Sequence, residues 1–190
     1  MKIISELCQN HNGNMDLLES MIKSAASNSD ILKIQSIKAD TFTNRKEYES
    51  FRPFKEEYHR LKELELSKED EEFFIFKCME YGVDSMTTIF TPKHADYFNE
   101  LGYTNLKISG YSIPAFDYGK ELKSFNFKKL YFSASSLSLD EISLTIKNLR
   151  ELNIDFCLLG CTCVYPTSIE KANIQNLPFY KFYFNLSSIV

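Results

Sequence analysis

The chain has 190 residues, 44% apolar and 25% charged, with a formal net charge of -4; this balance excludes disordered and fibrous classes and leaves one domain as the default. A folded domain of this size buries roughly 70% of its unfolded surface. Acidity without a basic stripe argues against a nucleic-acid partner, and the absence of an 18-residue apolar run reads as no membrane span and no signal peptide, hence a cytoplasmic protein.

In chain order, IISEL (3–7) reads as a short strand that ends in a carboxylate, Glu6, and runs into Gln9-Asn10-His11-Asn12-Gly13. Gly13 lets the chain turn, and Asn14 caps DLLESMIKSAA, which sets Leu17, Leu18, Met21, Ile22 and Ala25 on one helical face. ILKIQS (31–36) is a second strand. The interval 39–67 is polar, aromatic and long; it reads as neither a strand nor a single clean helix but as an excursion over one end of the sheet. Ser67 opens a strong helix in which Asp70 and Glu71 lead into FFIFKCMEYG, with Gly82 as its stop.

DSMTTIF (84–90) is the third strand, followed by a helix that starts at Thr91-Pro92, packs Tyr97, Phe98 and Leu101 and ends at Gly102. NLKIS (105–109) and KKLYFS (128–133) are the fourth and fifth strands. Ser138 with Glu141 forms a capping box ahead of Ile142, Ile146 and Leu149. DFCLLG (155–160) and YKFYFN (180–185) complete seven strands. Strands alternating with crossover helices indicate a mainly parallel sheet, which both a doubly wound fold and a (β/α) barrel satisfy. Cys8, Cys78, Cys157, Cys161 and Cys163 are an odd set without regular spacing, as expected of reduced, mostly buried thiols; Cys161-Thr162-Cys163 lacks a second ligand pair nearby, and no metal site is assigned.

Side chains two apart in a strand share a face. Lys33 and Gln35 therefore oppose Leu32 and Ile34, and Lys107 and Ser109 oppose Leu106 and Ile108, while Glu6, Thr88 and Ser133 extend the polar set. A doubly wound sheet would bury both lysines under helices at high cost. A barrel interior gives them one destination near the carboxyl ends of the strands, where such folds bind substrate. Two lysines, hydroxyls and a carboxylate converging there describe an anion pocket for a small phosphorylated or carboxylated molecule. Asn10 and His11 either hold the opening loop or contact a polar ligand, and His59 and His94 read as surface residues. No HExxH, GxSxG, phosphate loop or dinucleotide fingerprint occurs.

Several strings, in order along nearly the whole chain, resemble the N-acetylneuraminate (sialic acid) synthase family and its nonulosonic acid relatives: QNHNG (9–13) after Glu6, LKIQSIKAD (32–40), TTIFTPKHADYFNELG (87–102), LKIS (106–109), SLDEI (138–142) and CTCVYPT (161–167). The resemblance implies a TIM-barrel-like (β/α) fold and a transferase reaction of carbohydrate biosynthesis. In it phosphoenolpyruvate condenses with N-acetylmannosamine or a related N-acyl sugar, with a divalent metal (manganese or magnesium) and water, and phosphate is released. It also implies that Lys33 and Lys107 hold phosphoenolpyruvate with Thr88 and Ser133 at hydroxyl positions of the same subsite, and that Glu6 and Tyr165 face the sugar.

Where the family has a strand-four serine and then an acid, this chain has Gly110 and Ser112; Gly160 and Cys163 replace a histidine and an asparagine. The family's strand-seven Ser-Asp-His falls on Asn185, Leu186 and Ser187, so no metal ligand is assigned and both metal-binding histidines are expected to be missing. A complete barrel takes about 250 residues. The expectation is therefore one incomplete barrel domain over 1–190, with about seven parallel strands, no eighth strand and no C-terminal antifreeze-like domain. Its open seam would suit an oligomer or a complementing chain. The alternative is a catalytically inactive binding or assembly protein that retains the anion pocket.

Overall fold

The computed structural model describes residues 2–42, 50, 53–117, 122, 126–164 and 166–190. Six strands form one parallel sheet in sequential order: β1 (Ile4–Cys8), β2 (Ile31–Ile34), β3 (Asp84–Ile89), β4 (Asn105–Ile108), β5 (Lys129–Ser133) and β6 (Phe156–Leu159). The order never reverses, so the sheet is wound in one direction, as in an incomplete (β/α) barrel, and not doubly wound.

The helices are α1 (Met15–Ala26), α2 (Phe54–Leu64), α3 (Lys68–Glu80), α4 (Ala95–Leu101), α5 (Leu139–Glu151) and α6 (Asn176–Tyr183). Their starts follow the cap chemistry. Asn14 Oδ1 accepts from Leu17 N at 3.0 Å, and Ser67/Asp70 and Ser138/Glu141 close reciprocal capping boxes. Gly82 and Gly102, both at positive φ, follow the ends of α3 and α4. Pro92 begins a 3-10 turn, Pro92–His94, before α4 proper.

The register sorts side chains between two faces. Leu32, Ile34, Leu106, Ile108, Leu130, Phe132 and Leu158 join the main core, packed with Leu18 and Ile22 of α1, Phe74 of α3, Phe98 of α4 and Ile142, Ile146 and Leu149 of α5. The opposite, concave face carries a second, smaller core of Ile31, Met86, Tyr131 and Cys157, with Ile4 and Leu159 against it. On β1 and β2 this inner floor occupies the start of the strands, with Ile4 and Ile31 ahead of Glu6 and Lys33.

Three expectations are corrected. The segment 180–185 is not a seventh strand: it belongs to α6 and the turn that follows. Its aromatic residues have high strand propensity, but they pair at helical spacing, with Phe179 stacked on Tyr183 at 5.3 Å and Tyr180 on Phe184 at 6.0 Å. Beyond that turn Ile189 forms an isolated parallel bridge with Leu158, with Val190 N donating to Leu158 O at 3.1 Å. Asn185, Leu186 and Ser187 lie in the turn after α6 and ahead of that bridge, outside the named strands. Second, the excursion contains a regular helix, α2, after a 3-10 turn at Ala39–Thr41. Third, of the five free cysteines only Cys78 and Cys157 are buried; Cys8 is half-buried, and Cys161 and Cys163 are exposed on the loop after β6.

Candidate functional site

The site is built on the carboxyl ends of the strands. At the end of β1 a bulge interrupts pairing between Glu6 and Cys8, and Cys8 adopts a positive φ of 55°. The bulge leaves Glu6 opposite Lys33. Glu6 Oε1 accepts from Cys8 N at 2.9 Å, and Oε2 accepts from Lys33 Nζ at 2.6 Å. Lys33 is 4% exposed, whereas the Glu6 side chain stays nearly half open to solvent.

Lys107 sits two strands away, opposite Thr88 on β3 and Tyr131 on β5. Its ammonium makes no ion pair or hydrogen bond among the described residues. Burial first, and then the positive charge of Lys33, push its pKa below the usual lysine value. The neighbouring Thr88 hydroxyl is buried without a hydrogen-bond partner. Ser133 Oγ lies 2.7 Å from Ser135 Oγ. Gln35 continues the inner face of β2, its N–H bonded to Cys8 O at 3.2 Å. The inner face of β2, β3 and β4 thus carries one neutralised lysine, one lysine without an ion-pair partner among the described residues and, on the strand between them, a buried hydroxyl that makes no hydrogen bond.

The opening loop is a succession of tight turns, Asn10 N to Leu7 O, Asn12 N to Gln9 O and Asn14 N to His11 O. Asn10 is exposed. His11 is fully buried; its Nδ1 accepts from Gly13 N at 3.1 Å, and its Nε2 has no partner. Burial lowers the His11 pKa, which favours the neutral ring, and with Nδ1 accepting from Gly13 the neutral form carries its proton on Nε2. Gly13 combines φ +73° with a close approach to the Glu63 carbonyl, which a Cβ would meet at 2.9 Å. Tyr165 lies outside the described residues. His59 is exposed as expected, but His94 is half-buried, with Nε2 3.1 Å from Asp40 Oδ1.

A divalent ion of the manganese or magnesium class takes an oxygen-rich ligand set. Among the described residues no group of three or more His, Cys, Asp or Glu is placed to hold a metal ion, and Glu6 is committed to Lys33 and the Cys8 N–H. The described residues do not fit such an ion.

One group escaped the sequence reading. Glu71, which looked like a first-turn acid of α3, is fully buried. It shares a helical face with Phe74 and Cys78, three and seven residues on, which was the available signal. Its Oε2 accepts from Ser36 Oγ at 2.7 Å and from the Tyr103 hydroxyl, and Lys38 Nζ lies 3.7 Å from its Oε1.

Residues 21–188 match the NeuB family. The chain is 30% identical over 185 residues to the N,N'-diacetyllegionaminic acid synthase of Legionella pneumophila, covering 91% of this chain and 52% of that protein. It is 29% identical over 196 residues to the synthase of the same name from Campylobacter jejuni, covering 97% and 58% respectively. The N-acetylneuraminic acid synthetase of Leptospira borgpetersenii superposes with a TM-score of 0.83 at 22% identity, over 98% of this chain and 62% of that one, a likeness of fold. The chain spans about half the length of the curated relatives it matches. With the family matched across most of its length, the chain belongs to the NeuB family.

Proposed function

We propose that the carboxyl-terminal end of the sheet is a phosphoenolpyruvate half-site, and that the chain carries part of the machinery that condenses phosphoenolpyruvate with N-acetylmannosamine or a related N-acyl sugar. The observation that carries this reading is Lys107: a largely buried ammonium with no partner among the described residues, beside an orphaned Thr88 hydroxyl and within the field of the Lys33–Glu6 pair. An uncompensated buried cation is costly, and a bound dianion would repay it. In the reaction C3 of the enol forms a bond to the sugar aldehyde, water adds at C2 and the phosphate departs. The lysines would neutralise and orient phosphate and carboxylate, with Ser133 and Gln35 at the rim. Glu6, and by resemblance Tyr165, would face the sugar.

Calorimetric titration with phosphoenolpyruvate tests the site. Saturable binding that Lys107→Ala weakens at least ten-fold, as expected for a lost charge-assisted contact of about 1.5–3 kcal/mol, supports it; equal binding by both proteins refutes it. A second reading, a binding or assembly protein that keeps the pocket without the chemistry, draws on the absence of a metal-holding cluster among the described residues. Phosphoenolpyruvate uptake without phosphate release in the presence of manganese and N-acyl sugar would favour it. Among the described residues no strand pairs the outer edge of β1, and Ile189 makes only an isolated bridge to β6; sedimentation at several concentrations tests whether a second chain pairs there.

A further inference from the structure

We infer that Glu71, a buried carboxylate on the helix-covered side of the sheet, is the positioning residue of the anion site, latching the exit of β2 and the end of β3 so that Lys33, Gln35 and Thr88 are held in place. The inference rests on the reading of that end as an anion pocket. An acid in an apolar layer is unfavourable unless partnered, and an apolar side chain would fill the same space without that demand. The partners that Glu71 has gathered come from the rim of the sheet. Ser36 lies one residue beyond Gln35. Its Oγ donates to Glu71 at 2.7 Å and accepts from Thr87 Oγ1 at 2.7 Å, and its N–H donates to Thr87 Oγ1 at 3.3 Å. Thr87 immediately precedes Thr88.

Neighbouring strand residues point to opposite faces. Fixing Ser36 and Thr87 toward the helices therefore fixes Gln35 and Thr88 toward the pocket. Tyr103, 2% exposed just ahead of β4, closes the network with its hydroxyl on Glu71. Lys38 donates to Leu66 O at 2.7 Å, and Ala39 N donates to Glu65 Oε2 at 3.1 Å, so the rest of the β2 exit is fastened to the residues just ahead of α3. Burial raises the Glu71 pKa, against the pull of Tyr103, Ser36 and Lys38. The latch thus depends on the hydrogen bonds to Oε2, with Lys38 facing Oε1 only at ion-pair distance, and buried polar networks specify one arrangement where apolar packing tolerates several.

The test uses the full chain in three forms, wild type, Glu71→Gln and Tyr103→Phe, with Leu149→Ala in the core under α5 as a control for lost stability alone. Phosphoenolpyruvate affinity is read by calorimetry and backbone amide exchange by mass spectrometry. A positioning role predicts about ten-fold weaker binding for Glu71→Gln, a smaller loss for Tyr103→Phe, faster exchange over residues 34–39 in both, and neither effect in Leu149→Ala. Unchanged affinity in a folded Glu71→Gln protein, or an equal loss in Leu149→Ala, overturns the inference. Should Glu71→Gln fail to fold, Tyr103→Phe decides by the same criteria. A wild-type chain that takes up no phosphoenolpyruvate defeats the reading of the pocket instead. The latch then stands or falls on the amide exchange of residues 34–39 alone.

Discussion

Replacing Lys107 by methionine should make the protein more stable and less able to bind its anion. Lys107 is held by β4 between Thr88 and Tyr131, with no carboxylate opposite it. Strands lie about 4.8 Å apart and rise about 3.3 Å per residue, so β2 and β4 put the Cα atoms of Lys33 and Lys107 roughly 12 Å apart. Two ammonium groups leaning together to about 8 Å at an effective dielectric of about 20 repel by about 2 kcal/mol. Glu6 cancels part of this through Lys33, and desolvation adds to the remainder. Methionine fills a similar volume without charge, so a net gain of about 1 kcal/mol is expected, which for a chain of this size is a rise of about 2–4 °C in Tm.

The pH dependence has a definite sign. Unfolded, Lys107 keeps the usual 10.5; folded, its pKa is lower. Between those values the unfolded chain binds more protons, so the wild type gains stability as pH rises through that window and levels off above 10.5, whereas Lys107→Met lacks this component. Thermal unfolding from pH 7 to 10.5 measures both effects, and phosphoenolpyruvate titration measures the loss of binding. A variant less stable than wild type at pH 7, or one with full affinity, would refute the account of Lys107 as a strained, unpaired cation kept for its ligand.

Other outcomes follow from single contacts. Gly110→Ala should destabilise by about 3 kcal/mol or more through overpacking, because a Cβ there would overlap the Ser135 carbonyl oxygen and stand 2.9 Å from that of Ser133; an unchanged Tm would show that the loops after β4 and β5 yield easily. Ser138→Ala removes the cap of α5 and should cost about 1 kcal/mol in chemical denaturation, with no loss expected if the helix start were set by packing alone. Arg150→Ala should free the turn after α6, since its guanidinium donates to Phe184 O and Asn185 O, each at 2.9 Å. Faster amide exchange at Val190 is the sign, and exchange as slow as wild type would place the hold on this segment elsewhere.

Much of the architecture was legible because it is written in local chemistry. Caps at Asn14, Ser67 and Ser138, stops at Gly82 and Gly102, and the two-residue alternation of Lys33 with Ile34 and Lys107 with Ile108 depend on near neighbours in the chain, and all hold in the folded protein. The segment 180–185 misled because a short aromatic run satisfies strand propensity, and its helical i,i+4 stacking is decided by what it packs on. Glu71 was hidden because a first-turn acid suits a helix end whether or not the fold buries it.

The two lysines show the division most clearly. LKI at 32–34 and LKI at 106–108 are identical strings, and the sequence by itself determined that both lysines face away from the main core. Only the order of strands decided their difference. β2 lies beside β1, whose bulge presents Glu6 to Lys33, while β4 lies between β3 and β5, which offer Lys107 a threonine and a tyrosine. A charge is neutralised by what stands within a few ångströms of it, and in a sheet that neighbour comes from another strand, dozens of residues away in the chain.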